Sequence, residues 1–209
     1  MPLRLFAATT SQGKLRDFRT AANAHNIAIE PLPGLNSLTP PEEDGTTFED
    51  NARLKAVYYS QFAPGEIVVA DDSGLEVDAL EGAPGVRSAR FAADAGLVDS
   101  PDAPLDNTDV WNNMVLLQRM AGVPEAQRTA RYRCVLAAAC AGEVLHTAEG
   151  SLEGLILGAP RGTGGFGYDP LFYLPELGCT MAEISLEQKL ALSHRGRAIE
   201  ALLEKLDMD

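Results

Sequence analysis

The alternation of apolar and polar positions divides this chain into short strand-like runs and longer helical stripes. Leu3 to Ala8 is an apolar run of strand length, followed by Leu15, Phe18 and Ala22 at helical spacing across Lys14 to about Ala24. Ile27 to Leu32 reads as a second strand. Phe48, Ala52, Ala56 and Tyr59 then form the apolar stripe of a helix ending near Phe62, with Thr47 as N-cap and Asp50 three residues on, close to a capping box. The β-branched run from Ile67 to Ala70 predicts a buried strand ending in two acids. A helix opening at Asn107 is expected to turn Val110, Met114 and Leu117 to the core. Arg131 to Cys140 and Val144 to Leu157 read as long antiparallel strands joined at Ala141-Gly142, and Leu171 to Leu174 as a further strand. Ser185 with Gln188 marks a second capping box, from which helix is expected almost to the C-terminus.

Strands and helices mixed in this order predict an α/β fold with a mixed sheet flanked by helices. At 209 residues and 45% hydrophobic content, with no shift of composition that would mark a linker, a single domain over residues 1–209 is expected. The Pro/Gly-rich stretch from Pro31 to Gly45 fits one long loop. No apolar run approaches the ~20 residues of a membrane span, and the chain opens directly on a strand-like run, so neither membrane nor signal peptide is expected. Cys134, Cys140 and Cys179 are odd in number and lack Cys-x-x-Cys spacing, which suggests free buried thiols in a reducing cytoplasm. A net charge of −13 argues against a nucleic-acid surface, but not against a small polyanion in a local pocket.

Five clusters carry candidate chemistry, and each has a plain structural alternative. Asp71-Asp72-Ser73-Gly74 follows the buried strand, where α/β proteins bind ligands. Two neighbouring carboxylates repel, and a divalent cation such as Mg²⁺ would hold them; the alternative is an acidic turn. Thr9-Thr10-Ser11-Gln12-Gly13-Lys14 joins a strand to a helix whose N–H groups could meet an anion, or simply be capped. It lacks the spacing of a Walker loop. Glu42-Glu43-Asp44-Gly45 precedes Asp50, Asn51 and Lys55; Asn51 and Lys55 share a helix face, and Lys55 either reaches a phosphate or snorkels to water.

Gly162, Gly164 and Gly167 match Gly-x-Gly-x-x-Gly, yet Pro170 forbids the helix that a dinucleotide motif must open. A flexible loop presenting Phe166 and Tyr168 suits stacking on a planar base instead. Lastly, Lys189 with Ser193-His194-Arg195, near a Gly196 that would loosen the helix, either grips phosphate and base or forms a solvated face.

Taken together and in this order, these words resemble the inosine/xanthosine triphosphate pyrophosphatase family, house-cleaning nucleotidases that hydrolyse non-canonical purine nucleoside triphosphates to monophosphate and pyrophosphate. The resemblance runs from Ala8 to Arg195 and is strongest at Phe48 to Ala56, Ala70 to Leu75, Gly162 to Phe172 and Leu192 to Gly196. It implies an elongated mixed-sheet α/β fold, a homodimer and a requirement for Mg²⁺. It implies Asp72 as general base and metal ligand, Asp71 as its support within the same metal site and Glu43 as the acid completing that site. Thr9, Thr10, Ser11, Gln12, Gly13, Lys14, Lys55 and Ser73 would face the triphosphate; Phe166, Gly167, Tyr168, Asp169, Lys189, His194 and Arg195 would enclose the nucleoside. Three positions depart from the family pattern: Ser11 stands where Asn is usual, Asp44 where Thr is usual, and Asp50 where Glu is usual, which puts a role for Asp50 in the metal network in doubt.

The competing classes are a nucleotide-binding sensor without turnover, which would not need Glu43, Asp71 and Asp72, and a pyrophosphatase for pyrimidine or modified-base triphosphates. Nothing suggests a Ser-His-Asp or Cys-His nucleophile. Base choice is expected at the C6 edge: a donor such as Arg195, or a backbone N–H beside His194, would pair with the oxygen of hypoxanthine or xanthine and meet the amino group of adenine donor to donor.

Overall fold

The structure, a computed structural model, describes residues 4–97 and 108–207. Seven strands are hydrogen-bonded in the order β2-β1-β3-β4-β5-β6-β7. They are β1 (Arg4–Ala7), β2 (Ala28–Pro31), β3 (Ile67–Val77), β4 (Thr129–Cys140), β5 (Glu143–Ile156), β6 (Phe172–Leu174) and β7 (Cys179–Thr180). β1 pairs in parallel with both β2 and β3, whereas β5–β6 and β6–β7 are antiparallel, so the sheet is mixed. The helices are α1 (Gln12–Ala24), α2 (Phe48–Ser60), α3 (Phe91–Asp94), α4 (Thr108–Arg119), α5 (Leu186–Leu192) and α6 (His194–Leu206). Leu3 and Asn107, expected to open a strand and a helix, lie outside the described residues.

The chain divides into two compact units: Met1–Ser73 with Arg133–Ser151 and Leu190–Asp209, and Gly74–Tyr132 with Leu152–Lys189. In the first, strand alternation sends Leu5, Ala7 and Val69 to one face, against Leu15 and Phe18 of α1 and Ile199, Leu202 and Leu203 of α6. Phe6 and Val68 point the other way, into a cluster with Leu32, Tyr59 and Ala63. The second unit buries Leu75, Phe91, Leu116, Met120, Ile156, Leu171 and Phe172.

Several expected elements form as their local signals require. Thr47 and Asp50 make the capping box reciprocally, and Ser185 does the same with Gln188. Three expectations are corrected. The strand from Ile67 does not end before the acids but continues to Val77, so Asp71, Asp72 and Ser73 lie within it. They nevertheless sit past the end of the parallel neighbour, because β1 stops at Ala7, opposite Val69. In α4, Val110 and Met114 are about half exposed (47% and 50%), and Asn112, Val115 and Leu116 are buried instead. The amide group of Asn112 joins that face by accepting the Ala92 N–H at 2.8 Å and donating to the Ala89 carbonyl at 3.4 Å. The C-terminal helix is interrupted at Ser193, whose hydroxyl accepts the Gly196 N–H at 2.8 Å and starts α6 anew. Gly196 therefore belongs to a capped first turn, not to a loosened helix.

Candidate active site

In the first unit, the charged residues singled out in the sequence pair with one another around a cleft of about 340 Å³. Thr9, Thr10, Lys14, Glu43, Lys55 and Asp71 line its polar side, and Leu35, Leu38, Pro40 and Tyr59 an apolar one. Thr9 and Thr10 end the β1–α1 turn. Ser11 is the N-cap of α1: its hydroxyl accepts the Lys14 N–H at 3.4 Å, and its own N–H donates to Thr9 Oγ1 at 3.2 Å. That capping leaves Gln12 and Gly13 as the first residues of the helix, where backbone N–H groups favour an anion.

Two acids on adjacent positions of β3 take different partners. Asp71 is almost completely buried; Lys14 Nζ lies 2.8 Å from its Oδ2, Ser73 Oγ donates to it at 3.4 Å and Arg195 Nε stands 4.0 Å away. Burial pushes its carboxyl up, but the Lys14 ammonium and the Arg195 guanidinium outweigh burial and hold it at about 2. Asp72 faces α2, where Asn51 Nδ2 donates to Oδ2 at 3.1 Å and Lys55 Nζ to Oδ1 at 3.1 Å. Its carboxyl is raised above the ordinary value because burial exceeds the help from Lys55 and Asn51.

Lys55 also donates to Glu43 Oε2 at 2.9 Å, so one ammonium gathers two carboxylates from distant parts of the chain. Burial alone would lower it, yet Asp72, Asp71 and Glu43 together raise it, and it stays charged. Glu43 and Asp72 are thus a pair that a divalent cation could share, while Asp71 is enclosed by Lys14 and Arg195. Among the described residues, no group of three or more His, Cys, Asp or Glu side chains is disposed to hold a metal ion by itself.

Asn51 was grouped with Lys55 in the sequence but given no role. It is buried, and it ties the acidic loop to the acid on β3: its Oδ1 accepts the Gly45 N–H at 2.9 Å while its Nδ2 reaches Asp72. A Cβ at Gly45 would stand 2.5 Å from Asn51 Oδ1, so only glycine lets the loop approach this closely. The i, i+4 spacing of Asn51 and Lys55 was the available signal, but it does not name the partner. Asp50 serves the capping box, its carboxylate accepting the Thr47 N–H, and Asp44 is exposed. These two departures from the family pattern therefore touch the helix start and the surface.

Arg195 and His194 open α6 and are both buried. The Arg195 guanidinium, expected at a base edge, donates to Asp17 Oδ2 at 3.2 Å and Ser73 Oγ at 3.4 Å. Nothing local in the sequence announces Asp17, on α1, as a partner 178 positions away.

In the second unit, the glycine loop is held at several polar groups by its own surroundings. Gly167 donates its N–H to Asp109 Oδ2 at 2.6 Å, and its carbonyl accepts from Asn113 Nδ2 at 2.8 Å. Tyr168, expected to stack on a base, is buried, with its hydroxyl donating to the Ser88 carbonyl at 2.7 Å. Burial pushes that hydroxyl's pKa up, so it stays protonated. Asp169 is buried as well and accepts hydrogen bonds from Tyr132, the Phe166 N–H and Lys189. Phe166, by contrast, is 57% exposed, with Lys189 Nζ 4.6 Å from its ring centroid.

Comparison with known proteins finds similar chains over almost the full length of this one. The family model described as the Ham1 family matches residues 5–205. A protein of Acidobacterium capsulatum named dITP/XTP pyrophosphatase is 58% identical over 206 residues, covering 99% of each chain. One of the same name from Desulforamulus reducens is 46% identical, covering 98% of this chain and 96% of its own. The solved structure of a HAM1 protein from Coxiella burnetii superposes with a TM-score of 0.82 at 33% identity, covering 99% of this chain and all of that one. A family model matching residues 5–205, with relatives this similar over nearly the whole chain, shows that the chain belongs to the Ham1 family.

Proposed function

We propose that this protein is a nucleoside-triphosphate pyrophosphatase that hydrolyses ITP, dITP and XTP to the monophosphate and pyrophosphate. The observation that carries this reading is the pairing of Asp72 and Glu43 on one ammonium beside a capped helix start, in a chain whose relatives bear the name dITP/XTP pyrophosphatase. Lys14, Lys55 and the N–H groups of Gln12 and Gly13 offer positive potential to a triphosphate, with Thr9, Thr10, Ser11 and Ser73 adding hydroxyls. A water oxygen attacks the α-phosphorus, the bond from that phosphorus to the bridging oxygen breaks, and pyrophosphate leaves. Asp72 accepts the proton of the attacking water; its raised pKa suits it to that work better than an ordinary aspartate. Asp71, held ionised by Lys14 and Arg195, keeps Lys14 in place.

The donor set suits Mg²⁺, which is held by one or two carboxylates and completed by substrate phosphates, and Glu43 and Asp72 would be those two. When bound, Mg²⁺ neutralises phosphate charge and orients the water. No helix among the described residues is long and apolar enough to cross a membrane; we place the protein in the cytoplasm on the strength of its free cysteines, and as a homodimer on the family resemblance. For the nucleoside, Phe166 supplies a ring for stacking with Lys189 over its face, and Gly167, Tyr168 and Asp169 hold the loop that carries it.

Pyrophosphate release from a panel of nucleoside triphosphates, with and without Mg²⁺, tests the reading. Release from ITP, dITP and XTP far above ATP, and only with Mg²⁺, is expected. Binding without release would favour a sensor, equal turnover of ATP would overturn the base selection, and release unchanged by chelation would overturn the metal assignment.

A further inference from the structure

Phe166 sits in a segment that, by composition, should not hold a ring still. Gly162, Gly164, Gly165 and Gly167 surround it, and glycine has the largest backbone freedom to lose. The Gly167 side is anchored by Asp109 and Asn113. The other side depends on Asp169, whose Oδ2 accepts the Phe166 N–H at 2.9 Å and takes the Lys189 ammonium that also stands over the Phe166 ring. Gly165 lies so close that a Cβ there would come within 2.0 Å of the same oxygen, at a φ of +75° that disfavours other residues. The position of one carboxylate therefore decides where the ring and its ammonium neighbour lie.

That carboxylate is itself positioned from the core. Tyr132 on β4 is buried, with its ring against Phe172 at a centroid distance of 4.4 Å. Its hydroxyl donates to Asp169 Oδ1 at 3.2 Å, leaving Oδ2 to Phe166 and Lys189. A phenol gripped by aromatic packing is a rigid donor, and a bond to a buried carboxylate is costly to leave unmade.

We propose that Tyr132 is a positioning residue for substrate binding: its hydroxyl orients Asp169, and through Asp169 the main chain of Phe166 and the Lys189 ammonium, so that the Phe166 ring is preset for the base. The inference rests on the reading that Phe166 stacks on the substrate. Presetting lowers the ordering cost at binding and leaves the chemical step alone, so its signature is in KM and not in kcat.

The test compares Tyr132→Phe, Phe166→Ala and the double variant, each with ITP kinetics and with hydrogen exchange at the Phe166 amide. Tyr132→Phe keeps the packed ring and removes one oxygen. It should speed exchange at that amide, raise KM roughly tenfold, the size expected for a lost hydrogen bond to a charged group, and leave kcat within about twofold. In the Phe166→Ala background the same change should raise KM far less, because the ring it presets is gone and only the Lys189 ammonium is left to orient. Unaltered exchange overturns the proposal, as does an unaltered KM in Tyr132→Phe when Phe166→Ala raises it. Effects on KM that multiply in the double variant assign Tyr132 a general structural role and overturn it too. If Phe166→Ala itself leaves KM unchanged, the stacking reading fails, and the positioning claim falls with it.

Discussion

The β3 acids and the glycine loop are both rich in polar groups, but they satisfy them in opposite ways. Around Asp71 and Asp72 the partners are long cationic side chains: Lys14 on one acid, Lys55 on the other and on Glu43. Such contacts can be re-made when phosphate arrives, since an ammonium has three donors and a flexible stem. In the 165–169 loop the partners are mostly fixed by the fold, being backbone groups, Asp109, Asn113, Ser88 and Tyr132, with the Lys189 ammonium on Asp169 beside them. Most of the loop's contacts are fixed before a ligand arrives, and one ring, Phe166, stays at the surface. The first arrangement suits charge that changes during a reaction; the second suits a surface that must already be in shape.

The largest effect should follow from removing the exchangeable acid. Asp72→Asn keeps the shape and one acceptor oxygen, gives up one of the two bonds from Asn51 and Lys55, and cannot take a proton as an anion. Turnover of ITP should fall by more than about 10³-fold with Tm nearly unchanged, since general-base loss alone is worth roughly 10²–10⁴. A variant keeping a tenth of the activity would remove Asp72 from the mechanism.

Asp71 probes how far the cluster is structural. Its folded pKa lies below that of an unfolded aspartate, so its contribution to stability is complete above the ordinary carboxylate value and is lost as pH falls from about 4 toward about 2. The size is about 2 kcal/mol. Asp71→Asn should lower stability at neutral pH by roughly 3 kcal/mol, because Lys14 and Arg195 lose their buried counter-charge, and should flatten the acid limb of an unfolding-against-pH curve. An unchanged acid limb would show that the ammonium and guanidinium do not hold Asp71 as described.

Asn51→Leu should slow turnover by about tenfold, an effect the size of one lost hydrogen bond to a charged group, by freeing both Asp72 and the Gly45 loop. Equal kcat in wild type and variant would make Asn51 a packing residue only. Of similar size but in KM rather than in kcat, Phe166→Ala should raise KM by about tenfold for every purine triphosphate while preserving the ITP-to-ATP ratio, since stacking does not distinguish bases. A changed ratio would give the preset loop a part in base choice.

Much of this molecule was legible before any coordinates. The capping boxes at Thr47 and Ser185, the stripes Leu15-Phe18-Ala22 and Phe48-Ala52-Ala56-Tyr59, and the paired strands around Ala141-Gly142 depend on neighbours within a turn or a hairpin, so local periodicity suffices. The α4 face was misread because Val110 and Met114 fit a helical stripe as well as Val115 and Leu116 do, and hydrophobicity alone cannot say which stripe meets a core. The break at Ser193 was hidden by good helix formers on both sides.

At the sites, the sequence by itself determined which residue types are present and that Asn51 and Lys55 share one helical face. Tertiary structure alone decided their partners: Lys55 between Glu43 and Asp72, Arg195 on Asp17 and Ser73, Tyr132 on Asp169. A carboxylate accepts any cation or hydroxyl that reaches it, so its chemistry is promiscuous. Selection among partners comes from which of them the fold brings within about 3 Å, and from the low dielectric that makes a buried charge settle for nothing less than a full set of partners.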